Sequence, residues 1–101
     1  MIRHIIMFKL KDFGSQEIKN QKLKELKKMI DELGSQISEI KSIETGINFS
    51  TRDVAYDLVL VSDFNSEDDL KVYTAHPDHQ KVVEFLKDIK LSSAVVDYNI
   101  E

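Results

Sequence analysis

The chain has 101 residues, 42% of them apolar and 32% charged, the balance of one globular domain (1–101) rather than a disordered chain. Fourteen basic against eighteen acidic residues give a net charge of −4, which excludes a broad cationic surface for nucleic acid. Cysteine is absent, which rules out disulfides and thiolate zinc sites, and no apolar run approaches the roughly 20 residues of a membrane span, so a cytoplasmic protein is expected.

The chain opens on MIRHIIMFKLK, in which Ile2, His4, Ile6, Phe8 and Leu10 share one face and Ile5 and Met7 make the other face apolar as well. A strand apolar on both sides is covered on both sides. DFGS breaks the run, with Ser15 as a helix N-cap. Leu23, Leu26, Ile30 and Leu33 then recur at spacings of three and four, which predicts an amphipathic helix ended by Gly34.

Residues 39–50 and 54–64 read as two strands joined by the short polar turn TRD, an antiparallel hairpin. Lys41, Ile43, Thr45, Ile47 and Phe49 line one side of the first. The second is again apolar on both faces, with Val59 and Val61 opposed to Tyr56, Leu58, Leu60 and Phe64.

Ser66, with Asp69 three residues on, marks the N-terminus of a second helix that contains Leu70 and Tyr73. Pro77 interrupts it and suits the first position of a further helix, whose apolar stripe is Val82, Phe85, Leu86 and Ile89. SSAVVDYNI closes the chain as a strand. The order βαββαβ predicts a ferredoxin-like α+β sandwich: a four-stranded antiparallel sheet with its helices on one face. Nothing remains to cover the second apolar sheet face, which predicts a homodimer packed through the sheets.

The chemistry-bearing residues cluster around YTAHPDHQKV. His76, before the proline, reads as a helix-break or N-cap residue. His79 falls in the first turn of the next helix, where the dipole favours the neutral imidazole, a form able to act as a base. His4 is either a satisfied core or edge residue or a site residue. Asp97 is either a solvent-facing edge residue or one half of a His–Asp pair. Tyr73 is either core filler or a phenolic donor. H-x-x-H across a proline is a poor metal-binding pattern, and no phosphate loop or nucleophile elbow occurs, so neither metal nor cofactor is expected.

With RHIIMFKLK at its start, YTAHPDHQKV in the middle and VVDYNI at its end, the sequence resembles the stress-responsive dimeric α/β-barrel (Dabb) domain family over residues 2–100. The resemblance implies a dimer with a cavity between sheet and helices in each subunit. One characterised relative, the plant olivetolic acid cyclase, is a cofactor-free aldol-type enzyme; its two key histidines match His4 and His79, its supporting tyrosine matches Tyr73, and the aspartate that orients its catalytic histidine matches Asp97. The implied site is therefore His79 as a general base held by Asp97, with His4 and Tyr73 orienting or polarising the carbonyl of a small apolar ligand. Other relatives have no assigned activity, and the competing expectation is a non-catalytic, stress-responsive or ligand-binding dimer.

Overall fold

The computed structural model describes residues 1–100. The elements in order are β1 (Ile2–Leu10), α1 (Gln16–Gln36), β2 (Ser42–Ile47), β3 (Leu58–Phe64), α2 (Glu67–Ala75), α3 (Pro77–Ile89) and β4 (Lys90–Asn99). The strands form one antiparallel sheet in the order β2-β3-β1-β4, and the helices cover one face, which is the ferredoxin-like arrangement with its second helix split in two. No helix among the described residues is long and apolar enough to cross a membrane.

Side-chain alternation decides which residues meet the helices. Ile2, Phe8 and Leu10 of β1 and Leu58, Leu60 and Phe64 of β3 are buried against Leu23, Leu26, Ile30 and Leu33 of α1 and Val82, Leu86 and Ile89 of α3. His4 shares this face with Ile2, Ile6 and Phe8, so it points toward the helices. The opposite face carries Val61, Ile5 and Val96 in one row across three strands, with Met7 and Tyr98 nearby, and no element among the described residues covers it. Arg3 and Asp63 close one end of that face with a bidentate pair at 2.9 and 3.1 Å, which Ser42 joins at 2.8 Å.

The local start signals act as their chemistry dictates. Ser15 accepts the Ile18 amide at 3.3 Å and Ser66 accepts that of Asp69 at 3.1 Å, each satisfying an amide that the helix start leaves unpaired.

Two expectations are corrected. Gly34 does not end α1, which continues to Gln36 with Ile37 as its C-cap. The glycine serves packing: a Cβ placed there would lie 2.9 Å from Cγ2 of Ile43, so a side chain would push α1 off β2. The hairpin, likewise, is not tight, since residues 48–57 form a long connection in which Phe49 is 98% exposed and Tyr56 lies outside the strand. Asp57 explains the late start of β3. Its carboxylate accepts the Leu10 amide at 2.7 Å and faces Lys19 at 3.2 Å, so a side chain takes the place of the next ladder bond.

Candidate functional site

The break between α2 and α3 builds the first half of the site. Pro77 lacks an amide hydrogen, so the helix cannot run through it, and the carbonyls of the last turn of α2 are left without helical partners. His76 caps α3 by accepting the Asp78 amide on Nδ1 at 3.1 Å. The freed carbonyl of Thr74 receives His79 Nδ1 at 2.9 Å and the Gln80 side-chain amide at 2.7 Å. A carbonyl only accepts, so His79 carries its proton on Nδ1, and in the neutral ring Nε2 holds the lone pair.

The second half comes from the sheet. His4 and Asp97 are direct partners in the antiparallel β1–β4 ladder, and His4 Nδ1 lies 2.5 Å from the Asp97 carboxylate. His4 therefore also presents an unanchored Nε2. The expected pairing of Asp97 with His79 does not form. Asp97 sits on the edge strand opposite His4, while the Thr74 carbonyl already holds the Nδ1 of His79.

Tyr73 joins the two halves. It is 1% exposed, its ring centroid lies 4.5 Å from that of His79 and 6.2 Å from that of His4, and Phe64 backs it at 5.0 Å. Burial pushes the phenol up to about 12, so at neutral pH it is an O–H donor. His79 is held below the ordinary imidazole range, chiefly by burial and secondarily by the nearby rings of His4 and His76, with the Thr74 hydrogen bond opposing them.

These three side chains line one end of a cavity of about 370 Å³ between the sheet and α3. Ile6, Phe8, Ile30, Leu60, Val82, Val83 and Leu86 supply its apolar wall, with Thr74, Lys87 and Lys90 completing the lining. Asp97 stands behind His4 and is not part of the wall; His76 is likewise outside it. No three His, Asp or Glu side chains among the described residues converge as a metal-ligand group.

The sequence reading missed Thr74, Ser62 and the two lysines. Thr74 acts through its backbone, and the only signal for it was the carbonyl that a proline two residues beyond a helix end sets free. Ser62, opposite His4 in the ladder with β3, is fully buried, and its hydroxyl has no hydrogen-bond partner among the described residues.

Comparison with known proteins matches residues 2–100 to the stress responsive A/B barrel domain family. An uncharacterised protein of Streptomyces coelicolor is 32% identical over 97% of this chain and 98% of its own. A dimeric protein of unknown function and ferredoxin-like fold from Bacteroides fragilis superposes with a TM-score of 0.90 at 35% identity, covering 98% of this chain and 95% of the other. The hydroxynitrile lyase of Passiflora edulis shares the fold at 18% identity and a TM-score of 0.81, over 99% and 93% of the two chains.

Proposed function

The chain belongs to the stress responsive A/B barrel domain family, and within it we propose a homodimeric, cofactor-independent catalyst of proton abstraction next to a carbonyl group. The observation that carries this reading is the pair of imidazoles at one end of one cavity, each anchored through Nδ1 and each leaving Nε2 unanchored, on either side of a buried phenol. His79, neutral at physiological pH, is the base that takes the proton from the carbon next to the carbonyl. The electron pair left on carbon moves to the carbonyl oxygen, which the Tyr73 hydroxyl stabilises as an enolate by donating a hydrogen bond. His4, steadied by Asp97, orients the carbonyl from the other side.

The apolar row of half-buried Val61 and Ile5 and exposed Val96 supports the dimer, as does the dimeric state of the Bacteroides relative. The lyase from Passiflora is an enzyme on the same fold, which makes a catalytic role compatible with the architecture.

The test is hydrogen–deuterium exchange at the carbon next to the carbonyl of decan-2-one in D2O, followed by proton NMR. Exchange above the buffer rate is expected, falling roughly 100-fold or more in His79→Ala while the dimer persists. Undiminished exchange in that variant overturns the assignment of the base. Saturable binding of the ketone without any accelerated exchange overturns catalysis and establishes a ligand-binding dimer instead.

A further inference from the structure

We infer that the ligand of this cavity is elongated and bipolar: a carbonyl at the histidine end, an apolar middle, and an anionic group such as a carboxylate received by Lys87 and Lys90 at the other end. The inference rests on the proposed carbonyl chemistry for one end of the ligand, and for the other end on charge and distance alone.

Two elements measure the separation. Along α3, His79 and Lys87 are eight residues apart, roughly 12 Å at the helical rise. Along the sheet, Asp97 pairs with His4 and Lys90 pairs with Leu10, six residues further on, roughly 20 Å at the strand rise. β1 and α3 both run from the histidine end to the lysine end, so the cavity is a groove with different chemistry at its two ends. Between them the lining is Ile6, Phe8, Ile30, Leu60, Val82 and Leu86, an apolar track.

The charges have one sign. In a chain with eighteen acidic and fourteen basic residues, no Asp or Glu among the described residues lines this cavity, while the formally charged residues that do are both lysines. Lys87 also meets Glu84 at 2.9 Å on the exposed side of α3, which leaves its remaining donors for a second partner. Lysines in this position complement the carbonyl end of α3 as well, but a role confined to the helix terminus does not require them to border an apolar groove.

The experiment compares 9-oxodecanoate with decan-2-one, which share the methyl ketone and differ in the carboxylate, by isothermal titration calorimetry of the intact protein at low salt. Wild type is expected to bind the oxo acid about tenfold more tightly than the ketone, a preference that shrinks as salt rises. The Lys87→Gln/Lys90→Gln double variant is expected to lose the preference and keep its affinity for decan-2-one. Equal affinity of wild type for both probes, a preference that survives in the double variant, or no binding of either probe overturns the inference. Deuterium exchange of the bound probes is read separately: a carboxylate preference without exchange leaves the inference standing and removes the catalytic reading, and exchange without a preference does the reverse.

Discussion

The carboxylate of Asp97 lies 2.5 Å from Nδ1 of His4, its direct neighbour across the β1–β4 ladder, and the ring of His79 is held instead by the Thr74 carbonyl. The two imidazoles are thus anchored by different elements, one by a strand edge and one by a helix end. Disturbing either anchor should leave the other ring in place.

Asp97→Ala is the direct check. In a nitrogen-15 NMR spectrum of the histidine rings the variant is expected to show His4 as a mixture of tautomers and His79 unchanged with its proton on Nδ1. A change at His79 with His4 unaffected would reverse the assignment of the pair.

The pH dependence follows from the depressed pKa of His79. Its folded value lies below its unfolded one, so the native state resists protonation while the unfolded chain accepts it. Stability is therefore complete above the unfolded value near ~6.5 and declines as pH falls from there toward the folded value. Urea denaturation at pH 7.5 and pH 5 is expected to show this loss, and His79→Gln is expected to reduce it. The exchange reaction should keep its full rate down to a pH below ~6.5, because the base remains neutral there.

Ile5 stands between Val61 and Val96 on the uncovered sheet face. Ile5→Asp places a charge at the centre of that row, where burial against a second sheet would leave it without a partner. Sedimentation is expected to find a dimer for the wild type and a monomer for the variant. A variant that stays dimeric would move the interface elsewhere.

Ser62, on the strand next to His4, carries a buried hydroxyl without a hydrogen-bond partner among the described residues. Ser62→Ala removes an unsatisfied group at almost no change in shape, so it is expected to leave stability unchanged or raise it by about 1 kcal/mol in chemical denaturation. A loss of 1 kcal/mol or more would mean that the hydroxyl has a partner in solution.

Much of this architecture was legible in the chain. Two-sided apolar strands, the caps at Ser15 and Ser66, and the stripes of Leu23, Leu26, Ile30 and Leu33 and of Val82, Leu86 and Ile89 are local patterns with periods of two and 3.6. Pro77 made the helix break readable, and His76 as its cap with it. Gly34 and the 48–57 connection were misread because their causes are not local: a methyl of Ile43 on another element, and a carboxylate of Asp57 bonded to the backbone of β1.

The sequence by itself offered His4, Tyr73, His79 and Asp97 as candidates, the pattern leaving structural readings open for His4, Tyr73 and Asp97 and only the family resemblance joining all four into one expected site. Which of them touch was decided only by the tertiary structure. Cross-strand register sets Asp97 beside His4 across 93 positions of sequence, and the broken helix turns one backbone carbonyl toward His79. Both are long-range or main-chain relationships, and neither leaves a mark in the order of side chains along the chain.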